Sequence, residues 1–284
     1  MPRTLTLIRA LAFDDVAQAL AANLASAGAE VVFVCDESRG AVDTGPYAKI
    51  ALTAEGLGAL GLAPLPDNWG WLCGDMCYYA AVEAYPDRDH YLLIESDVFF
   101  GPQAARALMT ALAACPYDIL AAQLARHDAP KRYSRGLAQL GYEPRDGCIF
   151  PVSRASARAV RLMKALRIRA LTECPREKIN DEAILASVAL ADGLPHRALE
   201  SLLPQMFDRA NFDTNPPHLF ETQRDAPDPA RAFHPAVSYA NVLARVQSGE
   251  KNYHKHRLRR VLAEASRDQR VAIKAALQER EGKS

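Results

Sequence analysis

The chain has 284 residues, of which 49% are hydrophobic and 24% are charged, as in an ordinary globular protein with an ample core. Lysine plus arginine and aspartate plus glutamate balance at 34 each, so we expect no nucleic-acid partner. No apolar run approaches the ~20 residues needed to span a bilayer. The first residues lack the apolar core of a secretory signal, and we therefore expect a cytoplasmic protein.

The first 37 residues predict a strand, a helix and a second strand. Residues 4–8 and 31–35 are short apolar runs, and apolar residues recur at helical spacing between them. Such a unit implies a parallel sheet with a right-handed crossover. The turn at 8–12 contains no glycine, which argues against a dinucleotide fingerprint, a P-loop and the glycine-rich turn of a nucleotidylyltransferase.

Strands and helices continue to alternate beyond this unit, which predicts an α/β protein with a mostly parallel central sheet. Residues 40–70 are loosened by glycines and prolines, with 45–49 interpreted as a surface loop. Ser153 is predicted to cap a helix. The polar residues 126–147 predict a long excursion, and 205–233, with four prolines, predict a loop or a lid. Further strands are predicted at 91–94, from 116 and at 148–152, and further helices over 76–84, from 102 and over 183–190.

The segment from Glu250 onward has a helical composition, with ten lysines or arginines against five acidic residues. A basic amphipathic helix either lies on a membrane surface or packs against its parent domain with a solvated basic face. We expect a main domain over 1–240 and a helical appendage over 241–284, with peripheral contact to the cytoplasmic face of a membrane as one expectation. Its apolar stripe would consist of Leu258, Val261, Leu262, Ala265, Val271, Ala275 and Leu277.

The six cysteines are scattered without a CxxC pair. Cys73 and Cys77 have the spacing to share a helix face, but no partner for a zinc site can be identified from the sequence. Free, buried thiols in a reducing compartment are the simpler interpretation.

Acidic residues follow the apolar run 91–94 directly, as Glu95-Ser96-Asp97. The carboxyl ends of strands in an open α/β sheet are where ligands bind. Two carboxylates placed two residues apart there can reach one hard cation through oxygen ligands. The alternative is a solvated acidic turn at the end of the strand. The pattern favours a cation site.

The stretch Gly74-Asp75, a helix, and then 89–101 with Glu95-Ser96-Asp97-Val98-Phe99 resembles GT-A-type glycosyltransferases. The resemblance covers about 75–101, with weaker similarity at Asp181-Glu182 and His234-Pro235. It implies a Rossmann-type catalytic domain that moves a sugar, most often from a UDP-sugar, to a carbohydrate or other hydroxyl acceptor. It also implies that a DxD-type motif holds Mn²⁺ or Mg²⁺ on the diphosphate of the nucleotide-sugar donor.

The metal ligands implied by the resemblance are Asp97, Glu95 and His234. Asp97 is the first choice, because Glu95 departs from the commoner aspartate and its longer arm would hold the ion, a metal-bound water or the ribose. His234 resembles a late histidine that completes the metal shell. Ser96, within the motif, is placed among the donor contacts.

The implied base for an inverting transfer is Glu182, with Asp181 second, and helix capping by Asn180 and Asp181 is the alternative. The donor would lie over the first two strands, where Arg9 would meet phosphate and Asp36 the ribose or base. Asp75 is a further donor candidate, with placement at a helix N-terminus as its alternative. Lys131, Arg132 and Arg135 would contact an anionic acceptor or simply be solvated.

Two other functions remain open at the level of sequence. A nucleotidylyltransferase is disfavoured by the glycine-free turn at 8–12. A protein of the same fold that binds nucleotide-sugars without turning them over would carry the same motifs.

Overall fold

The computed structural model describes residues 3–250 and 252–281. Its strands are β1 (Thr4–Ala10), β2 (Glu30–Asp36), β3 (Ala48–Leu52), β4 (His90–Glu95), β5 (Phe99–Phe100), β6 (Ile119–Arg126), β7 (Asp146–Ser156), β8 (His196–Ala198), β9 (His218–Leu219), β10 (Ala232–Phe233) and β11 (Ala236–Val237). Its α-helices are α1 (Asp15–Ser26), α2 (Ala54–Ala59), α3 (Trp69–Leu72), α4 (Met76–Ala84), α5 (Pro102–Ala113), α6 (Ala157–Glu173), α7 (Asp181–Ala191), α8 (Leu199–Leu202), α9 (Phe220–Asp225), α10 (Tyr239–Gln247), α11 (Arg259–Glu264) and α12 (Arg267–Glu281).

Seven of the strands form a central sheet in the spatial order β3-β2-β1-β4-β7-β6-β8. Strand β7 is antiparallel to both of its neighbours, β4 and β6. Every other neighbouring pair in this sheet is parallel. The prediction of an α/β fold with a mostly parallel central sheet is confirmed.

The core lies on both faces of the sheet, because successive side chains of a strand point to opposite faces. In β4, Tyr91 and Leu93 pack into one buried cluster together with α4, α6 and α7. Leu92 and Ile94 pack into a second cluster with α1 and α5. A strand covered on both sides needs apolar residues at every position, which explains the unbroken run that precedes Glu95.

Two edge strands were not predicted from the sequence. β3 lies at one edge of the sheet and β8 at the other. Most residues of β3 are exposed, so its sequence carries no buried apolar run and resembles a loop. The prediction of a surface loop over 45–49 was therefore wrong at Ala48 and Lys49, where β3 begins.

The predicted cap at Ser153 was also wrong. Strand β7 continues its pairing with β4 as far as Ser156, opposite His90. The side chain of Ser156 then caps α6 by accepting from the backbone N–H of Ala159 at 3.1 Å. The hydroxyl of Ser153 instead shares a hydrogen bond of 2.8 Å with that of Tyr78 inside the core.

The C-terminal helices α10, α11 and α12 share a buried cluster of their own, to which Leu219 and Val237 also belong. The helical prediction holds, but the chain is extended at Ala265 between α11 and α12. Of the residues expected in the apolar stripe of α12, Leu277 is buried, but Ala275 is exposed and Val271 is 62% exposed; Ile273 and Ala276 pack inward in their place. The stripe is displaced because the break resets the helical phase.

The boundary drawn after residue 240 falls inside α10, and the division into 1–240 and 241–284 stays a prediction. The outermost residues of these two ranges, 1–2 and 282–284, lie outside the described residues. Within the described ranges, no helix combines the length and the apolar character needed to cross a membrane. Lys255, Arg259, Arg270 and Lys274 line an open groove on α11 and α12, and contact of this basic face with a membrane also stays a prediction.

Candidate active site

A short antiparallel ladder brings two distant parts of the chain together at the carboxyl end of β4. Strand β5, which follows Asp97, pairs with β10, which precedes His234; Phe99 lies opposite Phe233. Just beyond the ladder, the backbone N–H of Ala236 donates to the carbonyl of Asp97 at 2.7 Å. The stretch 205–233, predicted to be a loop or a lid, thus contains β9, α9 and β10, and the β5–β10 ladder fixes the position of His234.

Glu95, Asp97 and His234 each offer one ligand atom, and these three atoms lie within 4.8 Å of one another. Nε2 of His234 is 3.5 Å from a carboxylate oxygen of Asp97. The three residues predicted as metal ligands are therefore the three that the fold brings together. Two carboxylates and one imidazole form a donor set suited to a divalent cation, and Mn²⁺ accepts imidazole more readily than Mg²⁺ does.

The imidazole of His234 is oriented by its other ring nitrogen. Its Nδ1 lies 2.8 Å from the backbone carbonyl of Asp213, which can only accept a hydrogen bond, so Nδ1 carries a proton. In a neutral ring, Nε2 then presents a lone pair toward the carboxylate of Asp97. Two facing acceptors need a proton or a cation between them, and a backbone carbonyl behind the ring is a common support of metal-bound histidine.

Glu95 is partly tied to Arg9, which lies opposite it in the pairing of β1 with β4. Nη1 of Arg9 donates to Oε1 of Glu95 at 2.5 Å, and Nη2 donates to the carbonyl of Gly70 at 2.6 Å. Burial raises the pKa of Glu95, and the guanidinium acts in the opposite direction. Burial by itself lowers the pKa of Arg9, but Glu95 and Asp181 raise it above its ordinary range, so Arg9 stays charged.

Asp181 is occupied by contacts within the protein. Asn180 caps α7 by accepting from the N–H of Ala183 at 3.0 Å, while Asp181 accepts from the N–H of Glu182 at 2.8 Å. The other carboxylate oxygen of Asp181 accepts from the N–H of Gly74 at 2.9 Å. The capping interpretation is confirmed for Asn180. Asp181 as a base stays a prediction, and its contacts suit a positioning role better.

Glu182 is half-buried and lies next to the same group of charges. Its Oε2 accepts from the side-chain amide of Asn180 at 3.0 Å. Burial raises the pKa of Glu182; Asn180 lowers it, Glu95 raises it and Lys131 lowers it by smaller effects. A carboxylate with a raised pKa is a better proton acceptor, which suits the role predicted for Glu182.

Asp75 has an environment that differs from the one predicted. It is fully buried at the start of α4, where its side chain makes no capping hydrogen bond. Arg167 donates to its two oxygens from Nε at 2.9 Å and from Nη2 at 2.7 Å, and the hydroxyl of Tyr79 also donates to it. Its oxygens are therefore engaged inside the core, and this geometry does not favour contact with a donor.

Arg167 was missed by the sequence reasoning, although a signal was present. It lies on α6 four residues after Met163 and one after Leu166, both of which are buried. An arginine on the apolar face of a helix needs a buried acidic partner. Asp75 is that partner.

Asp36 lies at the end of β2, close to Gly70 of α3, whose carbonyl accepts a hydrogen bond from Arg9. Its Oδ1 accepts from the N–H of Ser38 at 3.0 Å. A side chain at Gly70 would collide with its other oxygen, so α3 approaches the Asp36 carboxylate closely at this position. Ser96 donates its backbone N–H to the carbonyl of Arg9 at 3.0 Å. Asp36 and Ser96 thus lie on the same edge as Arg9, and their contact with a donor stays a prediction.

All six cysteines are buried and unpaired, as expected. Burial raises the pKa of both Cys73 and Cys77 to about 12, so neither forms a thiolate readily. Among the described residues, no group of metal-binding side chains includes either thiol. Both thiols fill space in the core close to Arg9.

No protein-family model and no curated protein matches this chain. Among solved structures, it is similar to a glycosyltransferase involved in the glycosylation of the major capsid of PBCV-1. The identity is 14%, the match covers 61% of this chain and 68% of that one, and the TM-score is 0.33. A likeness this weak carries nothing about activity. The α/β fold stands on the observed seven-stranded sheet.

Proposed function

We propose that this protein is a metal-dependent glycosyltransferase of the hexosyltransferase type. It would move a sugar from a nucleotide-diphosphate sugar, with UDP favoured, to the hydroxyl of a carbohydrate or other acceptor. The observation that carries the proposal is the convergence of Glu95, Asp97 and His234 within 4.8 Å. This cluster lies at the carboxyl edge of β4, beside β1 and β2, where α/β sheets bind nucleotides.

The cation site would be held by Asp97, Glu95 and His234. Asp97 has the freest carboxylate, with 45% of its side chain exposed. Glu95 would contribute the oxygen that Arg9 does not hold. When bound there, Mn²⁺ or Mg²⁺ would neutralise the charge that develops on the diphosphate of the leaving group.

Glu182 is assigned the base that takes the proton of the acceptor hydroxyl as it attacks the anomeric carbon, with inversion. Burial raises the pKa of both acids, but both oxygens of Asp181 accept from backbone N–H groups while Oε2 of Glu182 accepts from the side-chain amide of Asn180, which supports this choice over Asp181. Asp181 would hold Arg9 and the N–H of Gly74 in place. In this scheme the two acidic residues at the start of α7 have separate roles.

The donor would lie across the ends of β1 and β2. Asp36 would accept a hydrogen bond from a ribose hydroxyl. Arg9 would chiefly position Glu95 and the helix α3, because its donors already have partners in the protein. A phosphate contact by Arg9 would require it to exchange one of them.

A thermal-shift screen of UDP-, GDP- and CMP-linked sugars, with and without Mn²⁺, tests the proposal. We expect stabilisation by one nucleotide class that depends on metal and is lost in Asp97→Asn. Asp268→Asn, an exposed carboxylate on α12, is the matched control and should retain it. Absence of stabilisation under every condition would contradict the proposal.

Turnover separates this function from a non-catalytic binding protein. A glycosyltransferase releases nucleoside diphosphate from its donor slowly even with water as the acceptor. Metal-dependent binding without any such release, in the wild type as in Asp97→Asn, would favour the binding protein.

A further inference from the structure

Trp71 is an exposed aromatic side chain at the edge of the candidate site. Among the described residues, four large hydrophobic side chains are exposed, and Trp71, at 60%, is the aromatic one among them. It lies in α3, where Nη2 of Arg9 donates to the backbone carbonyls of Gly70 and Trp71 at 2.6 and 3.4 Å. Since Nη1 of the same arginine binds Glu95, Trp71 is anchored one side chain away from the proposed cation site.

A second aromatic residue fixes the orientation of this indole. Tyr133, from the excursion between β6 and β7, meets Trp71 edge to face, with ring centroids 5.6 Å apart and an interplanar angle of 72°. The guanidinium of Arg132 lies over the Tyr133 ring at 5.3 Å. An indole held in this way presents a rigid apolar surface to solvent, which lowers the entropy cost of binding a flat ligand to it.

The excursion also carries cations without acidic partners. Over the part of the chain that the structure describes, Lys131, Arg132 and Arg135 are exposed and form no ion pair. Their neighbours Arg126 and Arg145, by contrast, pair with Asp146 and Glu143 at 2.8 and 2.9 Å. Lys131 lies close enough to Glu182 to act on that carboxylate electrostatically. Lys131, one of these free cations, therefore borders the acid assigned as base.

We infer that Trp71, Tyr133, Lys131 and Arg132 form the acceptor subsite, and that the acceptor is an anionic saccharide. The sugar ring would stack its C–H face on the indole, whose π face is the negative end of its quadrupole. A carboxylate or phosphate on the saccharide would meet Lys131 and Arg132, and a hydroxyl would face Glu182. This inference rests on the proposed glycosyl transfer for the role of the site.

The test measures saccharide binding and needs no turnover. The chain has two tryptophans, so Trp69→Phe leaves Trp71 as the sole indole reporter. The probes are hexagalacturonate and its fully methyl-esterified form, in which each carboxylate is replaced by a neutral methyl ester on the same sugar chain, together with glucose 6-phosphate and inorganic phosphate. We expect fluorescence quenching by at least one charged saccharide at millimolar concentrations or below, and weaker binding of the methyl ester.

Two variants then locate the contacts by calorimetry. Trp71→Ala should weaken binding of the charged saccharide roughly tenfold, which is the size of an aromatic stacking contribution. The double variant with Lys131→Gln and Arg132→Gln should weaken binding of the charged saccharide by about tenfold or more and leave binding of the methyl ester unchanged. Arg158→Gln with Arg161→Gln, on the exposed face of α6, removes the same charge elsewhere and should have no effect.

Quenching by hexagalacturonate assigns a uronate-type acceptor, and quenching by glucose 6-phosphate alone assigns a phosphorylated one. Equal binding of the methyl ester, equal binding of inorganic phosphate, or no quenching by either charged saccharide overturns the inference. Metal-dependent stabilisation of the wild-type protein by nucleotide-sugars is a separate readout that needs no acceptor saccharide. Failure of the acceptor subsite can therefore be told from failure of the proposed function.

Discussion

Two arginine–carboxylate pairs lie close together in this protein, and they differ in their access to solvent. The side chains of Arg167 and Asp75 are 2% and 0% exposed. Those of Arg9 and Glu95, at the edge of the sheet, are 18% and 25% exposed. Both pairs join a guanidinium to a carboxylate, but their surroundings give them different capacities to bind a ligand.

The buried pair makes its contacts within the core. Arg167 donates to both oxygens of Asp75 and to the carbonyl of Ile179, and Tyr79 completes the set. Because water cannot replace a lost partner there, the pair joins α4 to α6 and has no capacity left for a ligand. Glu95 in the edge pair gives Oε1 to Arg9 and has a carboxylate oxygen within 4.8 Å of ligand atoms of Asp97 and His234, which lets it act at a site.

Breaking the buried pair should have the largest effect on stability. Arg167→Met leaves the Asp75 carboxylate buried without its cation, which costs about 3–5 kcal/mol in the free energy of unfolding. Urea denaturation followed by circular dichroism measures this loss. Arg169→Met, on the same helix but in an exposed pair with Glu173, is the control and should cause no measurable loss. Equal losses in the two variants would show that Asp75 is not dependent on its partner.

Breaking the edge pair should cost less. Arg9→Met releases Glu95 and Asp181 at a position that water can reach, so we expect a loss of about 1–3 kcal/mol. The raised pKa values of both acids mean that they take up protons as the pH falls, which removes the uncompensated charge. The loss should therefore shrink toward acid pH. A loss as large as that of Arg167→Met and independent of pH would remove the distinction between the two pairs.

The smallest change in stability, with the largest change in turnover, is expected at Glu182. The folded-state pKa of Glu182 lies above its ordinary value, so its contribution to stability is present at acid pH and is lost as the pH rises through that pKa. Glu182→Gln removes the cost of the ionised form and should leave the melting temperature equal or slightly higher near neutrality. Transfer activity, which needs the ionised base, should fall by roughly 100-fold or more.

Asp181→Asn provides the contrast within the same helix turn. It weakens the contacts to Gly74 and Arg9 and should lower the melting temperature while retaining more activity than Glu182→Gln. The reverse order of activities would exchange the roles assigned to the two acids. Melting curves and initial rates on the same preparations decide between these assignments.

The sequence by itself determined the strands that are buried on both faces and the acids that end one of them. The apolar run before Glu95 predicts β4 because a doubly covered strand needs apolar residues at each position. The absence of glycine from the turn at 8–12 likewise argues, from local backbone chemistry alone, against a dinucleotide fingerprint, a P-loop and the turn of a nucleotidylyltransferase. Edge strands such as β3 escaped prediction because half-exposed residues leave no such pattern.

Only the tertiary structure decided which polar side chains meet. The β5–β10 ladder sets His234 beside Asp97 across a separation of more than a hundred residues, and no local pattern encodes that pairing. Asp75 and Glu95 are both acids near the same sheet edge, yet one faces Arg167 in the core and the other opens toward the site. Burial and the identity of the partner separate them, because both depend on packing between elements that are remote in sequence.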